Sequence, residues 1–250
     1  NKTGAAGGIA AHLVSRAAPD GYTIMLGTNA ALIIGPLVNK KLNYDAAKDF
    51  DYVSMIGSQP DVLYVHPSVP INNFAEYLAF AKANPGKLNF GSGGVGTPAH
   101  LSGEQLKIRA GIDIAHVPFR GTGPAMQTVI TGHIQSAFSP PAPLVPHIQS
   151  GAVRALAVTS PQRSGALPDI PTLHESGFPG FDTKNWHCIT VPPGTPKAVI
   201  DTLHKALMAT LNDPSVKKQL NELGVDVTPS SPDSFAAVFK EEIPMWADII

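Results

Sequence analysis

Residues 88–106, LNFGSGGVGTPAHLSGEQL, determine how the middle of the chain folds. An apolar run typical of a strand enters a glycine cluster, and the apolar spacing that follows is typical of a helix. The pattern G-x-G-x-x-G begins at Gly91, Thr97 is a typical N-cap, and Pro98 suits the first helical turn. The stretch therefore predicts a strand, a turn and a helix, with free backbone N–H groups at the turn that favour an anion.

Strands and helices alternate on the carboxyl side of this stretch. Alternation over about 90 residues implies a mostly parallel sheet with helices on its faces. The predicted strands are 88–91, 114–118, 134–138 and 153–159, and the predicted helices are 98–110, 123–132 and 142–150. Three further helices are predicted over 196–211, 214–223 and 232–248.

The amino-terminal part predicts a helix followed by a strand. The helix begins in GGIAAHLVSRA, with Ile9, Leu13 and Val14 facing inward. The strand spans 22–26 and is apolar without alternation, so we expect both of its faces to be covered, as in parallel sheets.

Composition excludes several classes of protein. The 250 residues are 43% hydrophobic and 15% charged, which favours a folded chain with a sizeable core. A net charge of −1 argues against a nucleic-acid partner. The single cysteine, Cys188, allows no intrachain disulfide and no cysteine metal cluster. No apolar run approaches the ~20 residues of a membrane span, so no membrane insertion is expected.

The glycine pattern at Gly91 does not fit a nucleotide site. A dinucleotide fold requires an acidic residue at the end of the next strand, but that strand ends in Phe119-Arg120, and Asp113 precedes it. No Gly-Lys-Ser/Thr follows, which excludes a phosphate-binding P-loop. We therefore predict no cofactor, and a tight turn without a ligand stays an alternative.

Three other loops resemble this one in composition. Each follows a predicted strand, is rich in Gly, Ser, Thr or Asn, and is poor in charge: 27–31, 119–126 and 138–143. Ligands of open α/β sheets lie outside the carboxyl ends of the strands. The four loops together predict a polar crevice that binds a small anion through backbone and hydroxyl groups.

Catalytic groups are not evident. The histidines lack zinc-motif spacing, so no metal site is predicted. His100 is either a general base or a packing residue, and Ser92 has no partner that the sequence reveals. Cys188 lies in an apolar run, where a buried, inert thiol is expected. No catalytic residue is therefore predicted.

Several long segments resemble the Bug/TctC family, the periplasmic solute-binding proteins of bacterial tripartite tricarboxylate transporters. They cover most of the chain: APDGYTIMLGT, HPSVPINNFAEYLAFAKANPGKLNFGSGGVGTPAHL, HVPFRGTGPAM, VRALAVTSPQRSGALPDIPTLHESGFPGF and VPPGTP. The resemblance implies an α/β, two-lobed type II periplasmic-binding-protein fold, each lobe a mostly parallel sheet flanked by helices, that closes over a carboxylate without enzymatic activity.

The resemblance also implies site residues and lobe boundaries. One lobe would comprise 1–58 plus 183–250 and the other 59–182, with hinge crossings near 58–62 and 181–186. The implied ligand-binding residues are Thr28, Asn29, Ser92, Gly93, Thr97, His100, Gly121, Thr122 and Ser139.

Two departures from the family pattern are visible. The chain opens where roughly 40 residues, about one β-α-β unit with a pocket loop, would already have passed in family members. Many members carry Phe-Asp where this chain has Phe138-Ser139, which makes amino-acid ligands less favourable. Trp186 lies near the second crossing and either faces a flat ligand or belongs to the core.

The implied function is extracytoplasmic capture of a small di-, tri- or aromatic carboxylate and its delivery to a membrane transporter. The resemblance implies a periplasmic monomer whose partners are that ligand and the membrane components of a tripartite tricarboxylate transporter. An enzyme acting on a small carboxylate, or a ligand-sensing partner of a signalling system, are the alternatives.

Overall fold

The computed structural model describes residues 5–250, which form two α/β units. Unit 1 contains the described residues up to Ser58, Asn185–Asn221 and Val225–Ile250, and unit 2 contains Gln59–Lys184 and Glu222–Gly224. A 3-10 turn at Ala5–Gly7 and a π-helical turn at Ala30–Ile34 supplement the regular elements. In chain order these are α1 (Gly8–Val14), β1 (Met25–Thr28), α2 (Gly35–Val38), β2 (Asp51–Gln59), β3 (Val62–Val65), α3 (Phe74–Ala83), β4 (Leu88–Ser92), α4 (Pro98–Ala110), β5 (Ile114–Pro118), α5 (Thr122–Ile130), β6 (Ser136–Ser139), α6 (Pro141–Gln149), β7 (Arg154–Val158), β8 (Asn185–Val191), α7 (Lys197–Asn212), α8 (Pro214–Glu222), β9 (Asp226–Val227) and α9 (Phe235–Ala247).

The sheet of unit 2 is mixed, with strand order β5-β4-β6-β3-β7. Strand β4 is parallel to β5 and β6, whereas β3 is antiparallel to β6 and β7. The four strands linked by helices therefore share one direction, as the alternation predicts. Strand β3 departs from the predicted parallel sheet because it follows β2 after only two residues, without a helical crossover, and inserts between β6 and β7.

The sheet of unit 1 has the order β1-β8-β2-β9, with β1 antiparallel to β8 and β2 antiparallel to β9. The expectation that both faces of the strand at 22–26 are covered was wrong. Strand β1 begins at Met25, Tyr22 is 93% exposed and Leu26 is 60% exposed. Strand β1 is an edge strand in the described part of the chain, and its side chains alternate between the core and solvent.

Helix α1 packs through a different face from the one that its sequence favours. Ala11 and Val14 are buried, but Ile9 is 45% and Leu13 is 49% exposed, so the inward orientation predicted for these two residues was wrong. The backbone comes close here, since a Cβ at Gly7 would lie 3.0 Å from the Ala31 side chain. Two small residues, Gly7 and Ala31, therefore lie at this contact beside the start of α1.

Helix α4, which follows the glycine loop, lies tightly against its own strand. A Cβ on Gly103 would overlap the ring of Phe90 on β4, so this contact requires glycine. Leu106 of α4 and Phe90 are fully buried in the larger core cluster of unit 2. This packing fixes the first turn of α4 relative to the end of β4.

Candidate ligand-binding site

The glycine loop runs from the end of β4 at Ser92 to the start of α4 at Pro98. Gly94 and Gly96 have φ values of 135° and 76°, which side chains other than glycine rarely adopt. The Thr97 hydroxyl donates to the Gly94 carbonyl at 2.7 Å and accepts the His100 N–H at 3.3 Å. Thr97 therefore closes the loop and caps α4, and Pro98 offers no N–H there.

The loop between β5 and α5 is joined to the glycine loop by backbone hydrogen bonds. Phe119 N–H donates to the Ser92 carbonyl at 3.1 Å, and Gly121 N–H donates to the Gly93 carbonyl at 3.0 Å. A Cβ at Gly93 would lie 3.3 Å from the Thr122 nitrogen. The structure thus brings together four predicted site residues, Ser92, Gly93, Gly121 and Thr122, at the carboxyl ends of two parallel strands.

The amino terminus of α5, unlike that of α4, has no side-chain cap. Gly121 precedes the helix with φ 113° and ψ 164°, and no side chain caps the helix by a hydrogen bond. A Cβ added to Gly121 or Gly123 would meet nothing within 4 Å. No side-chain hydrogen bond occupies this helix start and Gly123 is exposed, so the free N–H groups of the first turn and the helix dipole favour an anion there.

His100 lies behind the glycine loop. Its Nδ1 accepts the Gly96 N–H at 3.4 Å, and its Nε2 lies 4.0 Å from a Glu104 carboxylate oxygen. Burial lowers the pKa of His100, and the nearby Glu104 only partly opposes this effect. A neutral His100 supports the loop through Gly96, and both ring nitrogens face protein atoms.

His116 on β5 belongs to the same cluster and was not among the predicted site residues. Its Nε2 lies 2.7 Å from the Ser92 hydroxyl, and its ring centroid is 4.0 Å from that of His100. Burial, followed by the charges of His100 and Lys107, lowers the pKa of His116 to about 4. The parallel register that places His116 beside Phe90 supplies the proximity, and the sequence carries no local signal of it.

The lowered pKa values predict that unit 2 loses stability in mild acid. The ordinary His pKa is 6.5 and that of His116 is about 4, so between these pH values the unfolded chain binds more protons. The free energy of unfolding should therefore fall as pH drops through this window. For His116 we expect a loss on the order of 1–2 kcal/mol, allowing for its partial exposure to solvent.

Urea unfolding followed by circular dichroism at pH 7 and pH 4.5 measures this loss. His116→Gln should lose less stability between the two pH values than the unaltered protein. An equal pH dependence in both proteins would contradict the assignment.

Ser139 lies at the same edge of the sheet, at the end of β6. The pairing of Gly91 with Ala137 places the end of β6 beside the end of β4. Ser139 is fully buried, so its hydroxyl is not open to solvent in this structure. Ser139 lies near the loops that follow β4 and β5, but no hydrogen bond joins Ser139 to Ser92 or Thr122.

Thr28 and Asn29 belong to unit 1, at the end of β1. The Thr28 hydroxyl accepts the Ala31 N–H at 3.3 Å, and the Asn29 side-chain oxygen accepts the Ala30 N–H at 3.0 Å. Asn29 is fully buried. Both side chains therefore stabilise the start of the π-helical turn that follows β1.

Trp186 is a core residue of unit 1 rather than an open aromatic face. It is 2% exposed, and its indole N–H donates to Glu242 of α9 at 2.7 Å. The other oxygen of Glu242 accepts the indole N–H of Trp246, which is fully buried, at 3.0 Å. One carboxylate therefore holds two buried tryptophans, and of the two alternatives for Trp186, a ligand-facing ring or a core residue, the structure shows the core residue.

Other reactive groups are few in the part of the chain that the structure describes. No three His, Cys, Asp or Glu side chains among these residues are grouped so that they could hold a metal ion. Cys188 is buried, and burial raises the pKa of its thiol. No helix in residues 5–250 is both long enough and apolar enough to cross a membrane.

Comparison with known proteins identifies the family. The model of the tripartite tricarboxylate transporter family receptor, TctC, matches residues 1–250. Protein BugT of Bordetella pertussis is 31% identical over 251 residues, which cover 100% of this chain and 77% of BugT.

Solved structures agree with this assignment. The structure of R. palustris Rpa4515 with adipate is 31% identical, covers 100% of this chain and 83% of that chain, and has a TM-score of 0.95. MatC from Rhodopseudomonas palustris with bound malate is 30% identical, covers 98% of this chain and 85% of that chain, and has a TM-score of 0.88. The predicted α/β binding-protein fold is thereby confirmed, and the chain belongs to the Bug/TctC family of tripartite tricarboxylate transporter receptors, which are solute-binding proteins.

Proposed function

We propose that this protein is a periplasmic receptor that captures a small dicarboxylate and delivers it to the membrane components of a tripartite tricarboxylate transporter. The observation that carries the proposal is the uncapped amino terminus of α5 beside the glycine loop. One carboxylate of the ligand would accept N–H groups from Thr122 and Gly123, next to Gly93. The adipate and malate named for the two solved relatives support this ligand class.

The charges of the loops support a preference for anions over zwitterions. In unit 2, the loops 91–100, 119–124 and 138–143 contain no Asp or Glu, and Arg120 is their only full charge. An ammonium group bound there would lack a carboxylate partner, and an unpaired buried charge is strongly unfavourable. The family resemblance implies an acidic residue at the position of Ser139 in many members, and serine cannot supply that partner charge.

The complete protein should therefore bind adipate or malate at least tenfold more tightly than aspartate or glutamate, about 1.4 kcal/mol. Isothermal titration calorimetry measures both affinities, and hexane-1,6-diol serves as the uncharged control for adipate. The diol should not bind. Equal or tighter binding of an amino acid would contradict the ligand class, and no binding of any carboxylate in a wide panel would contradict the function.

An enzyme is the second candidate, because the Ser92 hydroxyl lies 2.7 Å from His116 Nε2 as in a nucleophile–base pair. Ser92, however, is fully buried. No carboxylate hydrogen-bonds to His116 in residues 5–250, and a pKa of about 4 makes this imidazole a weak base. These features favour binding over catalysis, and so does membership of a family of solute-binding receptors.

A further inference from the structure

The Ser92 hydroxyl makes three polar contacts at the end of β4. The Gly94 N–H donates to it at 3.2 Å, the Gly94 carbonyl oxygen lies 3.2 Å away, and His116 Nε2 lies 2.7 Å away. These contacts hold Gly94 in its left-handed conformation. The orientation of the glycine loop therefore depends on which atoms carry the protons.

A hydroxyl has one proton to donate and two lone pairs that accept. If His116 carries its proton on Nε2, it donates to Ser92, Ser92 donates to the Gly94 carbonyl, and the Gly94 N–H donates back to Ser92. All three contacts are then hydrogen bonds. With the proton on Nδ1, Ser92 must donate to Nε2, and its contact with the Gly94 carbonyl is then no longer a hydrogen bond, although the Thr97 hydroxyl still donates to that carbonyl.

We infer that His116 is a positioning residue: its neutral ring donates from Nε2–H to Ser92 and so holds the glycine loop in the form that receives the ligand. The inference rests on the proposed function and deepens it. A ring nitrogen that already carries a proton cannot take one from Ser92, so the same arrangement excludes general-base chemistry at this pair.

The ring of His100, which is tilted against that of His116, holds the other end of the loop. Its Nδ1 accepts the Gly96 N–H, and its ring lies 4.0 Å from that of His116 at an angle of 33°. His116 also stacks on the fully buried ring of Phe90, with 4.9 Å between the ring centroids. The rings of Phe90, His116 and His100 thus form a continuous support beneath the loop, anchored in the core of unit 2.

The first test is made without a ligand. Long-range 1H–15N NMR spectra of the histidine rings in the complete protein report both tautomer and charge. We expect His116 to be neutral at pH 7 with its proton on Nε2. A proton on Nδ1 alone, or a charged ring at pH 7, would overturn the inference.

The second test uses variants and adipate. His116→Phe keeps a ring but removes the donor, and should weaken binding about tenfold, whereas His116→Gln, whose amide can donate to Ser92, should recover part of the loss. His133→Phe, at an exposed histidine of the same unit, is the control and should bind as the unaltered protein does. Unchanged binding by His116→Phe would overturn the inference.

Amide exchange separates this inference from the proposed function. If the unaltered protein binds no carboxylate, the function fails, but the exchange of the Gly94 and Gly96 amides still reports on the loop. These amides should exchange about tenfold faster in His116→Phe than in His133→Phe. Equal exchange rates would overturn the positioning role whatever the ligand.

Discussion

Replacement of Glu242 by alanine is expected to lower the free energy of unfolding of unit 1 by about 3 kcal/mol. The two oxygens of Glu242 accept the indole N–H groups of Trp186 and Trp246, which are 2% and 0% exposed. Alanine leaves both donors buried without an acceptor, and each such loss costs about 1–3 kcal/mol. These are the only two tryptophans of the protein, and both lie in unit 1, so urea unfolding followed by tryptophan fluorescence reports on that unit.

Two neighbouring substitutions make the experiment specific. Glu242→Gln retains one acceptor oxygen and should lose about half as much stability. Glu241→Ala removes an exposed carboxylate from the same helix and should change stability by less than about 0.5 kcal/mol. If Glu242→Ala were no less stable than Glu241→Ala, the carboxylate would not hold the tryptophans as described.

Replacement of Gly121 by alanine is expected to weaken carboxylate binding about 30-fold. The φ and ψ values of Gly121, 113° and 164°, lie in a region that is nearly exclusive to glycine, and strain there costs of order 1–3 kcal/mol. The backbone should relax and turn the N–H groups of Thr122 and Gly123 away from the ligand. Calorimetry with adipate measures the change in affinity.

Gly111→Ala is the matched control for Gly121→Ala. Gly111 also has a positive φ, 61°, and a Cβ there would likewise meet nothing within 4 Å, but it ends α4 at the opposite end from the glycine loop. Both variants should lose some stability, and only Gly121→Ala should lose affinity. Equal affinities for adipate in the two variants would show that the start of α5 does not hold the ligand.

The helix-linked part of the fold could be predicted from the sequence because its signals are local. Thr97 and Pro98 mark the start of a helix, and the prediction of 98–110 is confirmed as Pro98–Ala110. The strand predicted over 114–118 is confirmed as Ile114–Pro118. Alternation of such elements fixes strand direction, since a helix that crosses back joins parallel strands.

The remainder depends on pairings between distant segments, which local patterns do not encode. The apolar residues Ile9 and Leu26 indicate a helix and a strand, respectively, but not which face each element presents to the core. His116 lies in a short strand that is otherwise ordinary, and only its register beside Phe90 reveals its contact with Ser92. The nine predicted ligand-binding residues stay a prediction until a ligand is bound.

The division of unit 1 between the two ends of the chain sets an order of events during synthesis. Nearly all of unit 2 lies in one continuous stretch, Gln59–Lys184, and is complete before β8 is made. Strand β1 cannot form its pairing with β8 until β8 has been synthesised, because Met25 pairs with Thr190. At roughly 5–20 residues per second, the synthesis of β8 follows that of β1 by on the order of ten to thirty seconds. Ile24 and Leu26 are exposed even in the folded chain, so the nascent strand offers an apolar edge on which chaperones can act and at which aggregation can begin.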